Sequence, residues 1–214
     1  YTRQGQACTA GSRVYIHEKI YDKVLEGAVE KLSKLKMGNA LDEKSDIGAI
    51  ISEEQLKRTL YYMDIAKKNS STKILHGGNQ SKGGEYKDGF YYQPTLLSGI
   101  PVNSPVCQEE VFGPVACAIP FKSFDEVMES ANDTQFGLSA VLWTKDLSRA
   151  LQFVDEIEAG FVQVNQCLAP RANVSYGGIK MSGLGKEYAF DSMMNHFTQS
   201  KTVLINRGKS NIDN

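Results

Sequence analysis

The feature that most constrains the fold of this sequence is an alternation of apolar runs and amphipathic stretches between residues 115 and 164. Apolar runs typical of buried strands occupy residues 115–120, 139–143 and 161–164, and helical periodicity occupies residues 123–131 and 147–157. Parallel strands need long crossover connections, usually helices, so this order indicates a parallel sheet covered on both faces. We therefore predict an α/β fold with a doubly wound, mostly parallel sheet. Asn165 directly follows the third strand, at the sheet edge where ligands of such folds bind.

The rest of the chain supplies further elements. Residues 14–17 and 73–76 are predicted strands, and apolar stripes indicate helices over residues 19–37 and 52–69. Ser52-Glu53-Glu54-Gln55 has the spacing of a capping box, and Ser123 is the predicted N-cap of the helix over residues 123–131. Glycine-rich residues 77–89 predict a loop, and the aromatic run 90–93 predicts a strand that Pro94 ends. The β-branched run 201–206 follows the last helix and predicts an edge strand.

Length and composition indicate one domain and exclude several classes of protein. A chain of 214 residues can bury a core without disulfides or metal ions. Its 24 Lys and Arg residues balance 25 Asp and Glu residues, which argues against a nucleic-acid partner. The four Cys and three His residues lack metal-ligand spacing, so we predict no metal site and read the cysteines as reduced thiols of a cytoplasmic protein. No apolar run is long enough to predict a membrane span.

Cys8 is the first candidate for chemistry, because it lies among glycine and small residues just before a predicted strand. Small neighbours let backbone amides approach whatever the sulfur attacks, and a thiol at such a turn can be activated as a nucleophile. The alternative is structural, since free cysteines often serve as small buried hydrophobic residues.

Two other stretches suggest a site. Glu109 and Glu110 precede an aromatic residue and a Gly-Pro turn, which would suit a carboxylate that accepts sugar hydroxyls beside a ring packed on a flat ligand. A paired Glu-Glu can equally form a solvated face. Residues 175–187 are glycine-rich, but they lack the spacing and the Gly-Lys-Ser/Thr ending of a phosphate-binding loop. They indicate a loop that packs closely on another backbone.

Several blocks together resemble the NAD(P)-dependent aldehyde dehydrogenase superfamily over about residues 3–205. The blocks are Gly5-Gln6-x-Cys8 with Arg13, Pro94-Thr95-Leu96, Glu109-Glu110-Val111-Phe112-Gly113-Pro114-Val115, Asn132 with Gly137-Leu138, Val164-Asn165, and Tyr176-Gly177-Gly178-x-Lys180-x-Ser182-Gly183-x-Gly185-Lys186-Glu187. Their order and spacing also match the family, which is far more specific than any single motif. Lys186 departs from the arginine that is common in the family, but it keeps the charge.

The resemblance implies a role for each matching position. Cys8 would be the nucleophile whose thiolate adds to an aldehyde to give a thiohemiacetal and then a thioester, with hydride transfer to NAD or NADP. Glu110 would hydrogen-bond the nicotinamide ribose, and Phe112 would contact the cofactor beside it. Asn165 would lie near the site, and Tyr176 would line the substrate tunnel. For both of these last residues, simple ordering of loops is the alternative.

The resemblance also implies what these 214 residues lack. The family's water-activating glutamate, its oxyanion asparagine and its dinucleotide-binding half precede the cysteine and are not matched here. We expect residues 1–197 to be the carboxy-terminal, Rossmann-like catalytic domain and residues 198–214 to be an oligomerisation strand and tail of a homodimer or homotetramer. The chain alone would then be inactive, and a non-catalytic remnant or fragment that retains the fold is the alternative.

The variable loop at residues 167–174 would shape the tunnel, and Arg171 is its only charged residue. If Arg171 points inward, an aldehyde bearing an acid group is expected, because a guanidinium pairs with carboxylates. If it points outward, Leu168, Ala169, Pro170 and Tyr176 would favour an apolar or aromatic aldehyde. Loop arginines are mostly solvated, so we favour the apolar or aromatic substrate. The choice between NAD and NADP stays open.

Overall fold

The computed structural model describes residues 1–167 and 170–206. Six α-helices are present in that part of the chain: α1 (Tyr21–Ser33), α2 (Glu53–Lys68), α3 (Pro105–Gln108), α4 (Phe124–Asn132), α5 (Leu147–Glu156) and α6 (Phe190–Phe197). The strands are β1 (Arg13–His17), β2 (Lys73–His76), β3 (Gln80–Ser81), β4 (Tyr91–Tyr92), β5 (Thr95–Ser98), β6 (Val115–Phe121), β7 (Phe136–Gly137), β8 (Ser139–Leu142), β9 (Phe161–Val164) and β10 (Ile179–Lys180).

The main sheet has the strand order β1-β6-β5-β2. Strand β6 runs parallel to both β1 and β5, whereas β2 is antiparallel to β5. Residues 115–119 of β6 are all buried, as expected for a central strand covered on both faces. The predicted α/β class is therefore confirmed, and the main sheet is mixed, with two of its three strand pairs parallel.

Helices cover both faces of this sheet, and the alternation of side chains along β6 separates two apolar clusters. Ala116 and Ala118 face the cluster beneath α1, which includes Leu32. Val115 and Cys117 face the other cluster, to which α2 and α3 contribute. Successive strand residues point to opposite faces, so one apolar run serves both layers.

The prediction that the three apolar runs share one sheet is wrong within the described residues. Strands β8 and β9 pair in parallel with each other, in a two-stranded sheet separate from β6. The reason is that β1 and β5 already occupy both edges of β6, so β8 has no edge of β6 to pair with. The alternation fixed the class of fold but not the neighbour of each strand.

Helix starts follow the sequence more closely than helix ends. The hydroxyl of Ser52 accepts from the backbone N–H of Gln55, and Ser123 caps α4 in the same way, so both predicted N-caps are confirmed. Helix α1 ends at Ser33 rather than at the predicted Met37. Residues 36–38 leave the helix because their backbone pairs with Asp46 and Ile47.

The predicted loop 77–89 is more structured than expected, because β3 within it pairs antiparallel with β4. The predicted edge strand 201–206 is not formed in the described chain. Its residues have no strand assignment, and Leu204 is 92% exposed. A strand needs a ladder partner, and residues 201–206 have none among the described residues. Residues 207–214 lie outside the described part. Among the described helices, none has the length and apolarity required to cross a bilayer.

Candidate active site

Cys8 lies in an exposed turn between the N-terminal segment and β1. The turn is closed by the backbone N–H of Ala10, which donates to the carbonyl of Ala7 at 2.9 Å. Cys8 is thus not a small buried hydrophobic residue, and the structural alternative for it is removed. Its sulfur is open to a small molecule.

The Cys8 turn is packed against the Glu110–Pro114 segment through two glycines. Gly5 has φ +70°, and a Cβ at this position would lie 2.1 Å from the carbonyl oxygen of Gly113. A Cβ on Gly113 would in turn meet the hydroxyl of Thr59 at 2.5 Å. Only residues without side chains allow this approach. Two blocks whose contacting glycines are 108 residues apart in sequence therefore meet at the loop that carries the Cys8 thiol.

Tyr176 reaches the same thiol from the opposite end of the sequence. Its hydroxyl lies 3.4 Å from the sulfur of Cys8, within hydrogen-bonding distance for sulfur. Phe161 and Tyr188 contact the Tyr176 ring edge-on, with ring centroids 5.3 and 5.8 Å away. Burial, followed by the hydrogen bond to Cys8, raises the pKa of Tyr176 to about 12. The phenol therefore remains protonated at neutral pH.

The backbone around Tyr176 is fixed by a short two-stranded contact. Tyr176 and Glu187 exchange backbone hydrogen bonds of 3.0 and 2.7 Å. The ammonium of Lys186 donates to the carbonyls of Gly177 and Gly178, at 2.9 Å each. The glycine-rich stretch thus packs on backbone, as predicted, and Lys186 supplies the hydrogen bonds that hold it there.

Glu110 is exposed, and its carboxylate has no hydrogen-bond partner within residues 1–167 and 170–206. Its backbone is nevertheless tightly held, because the Arg58 guanidinium donates to the Glu110 carbonyl at 2.5 and 3.1 Å. Arg58 also stacks over the ring of Tyr62, whose hydroxyl donates to the Glu109 carboxylate at 2.7 Å. Adjacent carboxylates therefore differ: Glu109 is part of the structural network, and Glu110 is available to a ligand.

The next two residues are held by Gln55 of α2. Its side-chain amide donates to the carbonyls of Val111 and Phe112, at 2.9 and 2.8 Å. Phe112 has φ +53°, an unfavourable conformation for an aromatic residue. Sequence reasoning missed Gln55, Arg58 and Tyr62. The Ser-x-x-Gln spacing located Gln55, but it suggested only a helix cap.

Asn165 orders a loop. Its side chain accepts from the N–H of Thr144 at 2.9 Å and donates to the carbonyl of Thr144 at 2.8 Å. It lies at the carboxyl ends of β8 and β9, as predicted, and its φ of +55° turns the chain there. The geometry favours the loop-ordering alternative for this residue, because its side-chain hydrogen bonds go to Thr144.

The variable loop contributes Arg171 and Cys167, and both are exposed. The guanidinium of Arg171 makes no hydrogen bond or ion pair with the described residues. Leu168 and Ala169, two of the four predicted lining residues, lie outside the described part. Pro170 is half-buried.

The remaining thiols are unlike Cys8. Cys107 and Cys117 are buried, with Cys117 only 1% exposed. The Cys107 thiol and burial together raise the pKa of Cys117 far above its ordinary value. No cluster of three or more His, Cys, Asp or Glu side chains suited to a metal ion occurs in the described residues.

Comparisons with known proteins give a consistent result. The family model described as aldehyde dehydrogenase family matches residues 1–203. An aldehyde dehydrogenase from Rhodospirillum rubrum is 40% identical over 202 residues, covering 94% of this chain and 40% of that protein. An acetaldehyde dehydrogenase from Pseudomonas aeruginosa is 37% identical over 205 residues, covering 96% of this chain and 40% of that protein.

Solved structures agree with these sequence matches. Betaine aldehyde dehydrogenase from Staphylococcus aureus in complex with NAD⁺ superposes with a TM-score of 0.87 at 32% identity, covering 91% of this chain and 39% of that one. The NAD⁺ complex of aldehyde dehydrogenase from Bacillus cereus gives 0.89 at 31% identity, covering 96% and 40%. The chain therefore spans about two fifths of the length of these proteins.

Proposed function

This chain belongs to the aldehyde dehydrogenase family, and we propose that it provides the nucleophile for NAD(P)-linked oxidation of an aldehyde to a carboxylic acid. The observation that carries the proposal is the exposed Cys8 thiol, which is held between the Tyr176 hydroxyl and the loop packed on Gly113. Its assignment to the carboxy-terminal catalytic domain, with a boundary at residue 197, stays a prediction.

Cys8 would act by covalent catalysis. Its thiolate attacks the aldehyde carbon, a C–S bond forms, and the carbonyl π electrons move to oxygen to give a thiohemiacetal alkoxide. Backbone N–H groups of the small-residue turn are the natural donors to that alkoxide. The nicotinamide, when bound, supplies the hydride acceptor, and the resulting thioester is cleaved by water.

The residues present fit a bound dinucleotide on one side. Glu110 offers an exposed carboxylate with unused acceptor capacity, which suits ribose hydroxyls, and the Phe112 ring lies two residues away. Arg58 and Gln55 hold the backbone of both residues and keep these groups in position. NAD and NADP remain equal candidates, because Glu110 and Phe112 would meet only the nicotinamide half.

The test of the nucleophile is substitution in the complete gene product. Cys8→Ser should lower kcat for aldehyde oxidation by at least about 10³-fold, since serine is a far weaker nucleophile without a dedicated base. Cys167→Ser is the matched control, because it removes the other exposed thiol but not the proposed nucleophile, and it should lower kcat far less than Cys8→Ser does. Full activity in Cys8→Ser would overturn the proposal.

The second candidate is a non-catalytic protein that keeps the fold. The water-activating glutamate that the family resemblance implies has no match among these 214 residues. We propose that the 214-residue chain alone does not turn over aldehyde, because loss of a general base typically costs about 10² to 10⁴ in rate. Steady NADH production by the purified chain would contradict this.

For the substrate, we propose an apolar or aromatic aldehyde. The exposed Arg171 and the half-buried Pro170 and Tyr176 support this choice, because an outward arginine leaves an apolar lining. The test compares kcat/KM for benzaldehyde and succinic semialdehyde before and after Arg171→Ala. A preference for the acid that disappears with Arg171 would refute it.

We also propose a homodimer or homotetramer in the cytoplasm. The apolar side chains of Val203, Leu204 and Ile205 are exposed, and a strand from another subunit would give them a ladder. Four free thiols, two of them exposed, suit a reducing compartment. Sedimentation of the complete gene product tests its assembly, and a monomer would contradict it.

A further inference from the structure

We propose that Tyr176 is a positioning residue for the Cys8 sulfur, with its hydroxyl donating a hydrogen bond that favours the thiolate. This goes beyond the lining of a tunnel by an aromatic ring, because it assigns a task to the hydroxyl alone. It rests on the proposed role of Cys8 as the nucleophile. The observation behind it is the 3.4 Å separation between the phenolic oxygen and the sulfur.

The hydroxyl is held in place by its surroundings. The Tyr176 ring meets Phe161 and Tyr188 edge-on, at 5.3 and 5.8 Å between centroids. Its backbone is paired with that of Glu187. With both ring and backbone fixed, the phenolic oxygen has little freedom apart from rotation of its proton. A fixed donor at a reactive group costs little reorganisation when charge forms there.

The direction of the bond follows from the protonation of the phenol. Burial, followed by the contact with Cys8, raises the pKa of Tyr176 to about 12, so the phenol keeps its proton at neutral pH. A thiolate has no proton to donate, so a thiolate at Cys8 accepts its hydrogen bond from the Tyr176 hydroxyl. A hydrogen bond to a charged acceptor is stronger than one between neutral groups.

No other side chain of the described residues hydrogen-bonds the Cys8 sulfur. No Lys, Arg or His of residues 1–167 and 170–206 forms such a contact with it either. Lys, Arg and His are common activators of cysteine, and within the described residues none of them is hydrogen-bonded to this sulfur, whereas the phenol is. Tyrosine at position 176 differs from phenylalanine by one oxygen atom, and that atom supplies the hydrogen bond to the Cys8 sulfur.

The experiment is limited alkylation of the 214-residue protein with iodoacetamide at neutral pH, followed by peptide mapping. Tyr176→Phe keeps the ring and removes the donor, and it should slow labelling of Cys8 by about three- to tenfold. Cys167 is the internal reference, because it is exposed and its labelling should not change. Tyr188→Phe is the matched control, since it removes a hydroxyl from the ring that contacts Tyr176.

The ultraviolet absorbance of the thiolate is a second measurement, and it would not change in Tyr176→Phe if Tyr176 had a purely structural role. It should fall in Tyr176→Phe and stay constant in Tyr188→Phe. Equal labelling of Cys8 in Tyr176→Phe and in the parent protein would overturn the proposal. Alkylation needs neither aldehyde nor dinucleotide, so this failure is distinct from failure of the proposed function, which full activity of Cys8→Ser would reveal.

Discussion

The side chain of Gln55 gives the sharpest test of how the cofactor-facing segment is held. Its amide donates to two backbone carbonyls, those of Val111 and Phe112, at 2.9 and 2.8 Å. Neither carbonyl has another backbone partner within the described residues, and Val111 is buried. Gln55→Leu preserves the size of the side chain and the helix, and it leaves both carbonyls without a donor.

The expected cost of Gln55→Leu can be worked from these contacts. Two net hydrogen bonds contribute about 0.5–1.5 kcal/mol each, and a buried carbonyl left unpaired adds about 1–3 kcal/mol. We expect the free energy of unfolding to fall by about 2–6 kcal/mol in urea denaturation followed by circular dichroism. The N-cap is unaffected, because Ser52 accepts from the backbone N–H of residue 55.

Gln152→Leu is the matched control for this substitution. Gln152 lies on α5, and among the described residues its amide donates to the Glu156 carboxylate and accepts from the Arg149 guanidinium, both on the same helix. Its loss should change the free energy of unfolding by less than about 0.5 kcal/mol. If Gln55→Leu and Gln152→Leu are equally harmless, the Val111–Phe112 segment is held by something else, and the reasoning is refuted.

Three further predictions concern packing, pH and assembly. Gly5→Ala should destabilise the protein by at least about 2 kcal/mol, because the added Cβ would meet the Gly113 carbonyl. Gly27→Ala in α1 is the control: its Cβ has open space, and it should stabilise the protein by about 0.5–1 kcal/mol. Thermal unfolding of both variants tests the difference in sign. Burial and the hydrogen bond to Glu109 raise the pKa of Tyr62 to about 12. The contribution of Tyr62 to the free energy of unfolding is therefore complete below about pH 10 and is lost as the pH rises towards 12. In urea titrations over that pH range, Tyr62→Phe should lose less stability than the parent protein. Leu204→Lys should weaken self-association of the complete gene product in sedimentation, and an unchanged assembly would count against a strand-mediated interface.

Much of the fold could be predicted because local signals and tertiary contacts agree. Ser52 and Ser123 cap helices where their spacing indicated, and β9 has the bounds that its apolar run predicted. Strand neighbours could not be predicted, because the pairing of β6 with β1 and β5 joins segments distant in sequence. Periodicity indicates which residues of a strand are buried, but it does not indicate which other strand pairs with it.

The candidate site shows the same division. The exposed turn of Cys8 was readable from its small neighbours, and the glycine-rich loop was correctly expected to pack on backbone. The contact between Cys8 and Tyr176 spans 168 positions and has no local signature. Arg58 and Gln55 lie on the solvent side of a helical pattern, where polar residues are expected in any case. Both side chains donate to backbone carbonyls, which every residue has, so the sequence does not indicate which residues accept these hydrogen bonds.

The central claim is that Cys8 forms the covalent bond to substrate. The most direct measurement is rapid acid quenching of the complete gene product during turnover with an aldehyde and NAD⁺, followed by mass spectrometry of its cysteine peptides. The account predicts an acyl group on the peptide that contains Cys8, which adds the mass of the aldehyde less two hydrogen atoms, and an unmodified Cys167. An acyl group on Cys167, or turnover with no acylated cysteine, would contradict it.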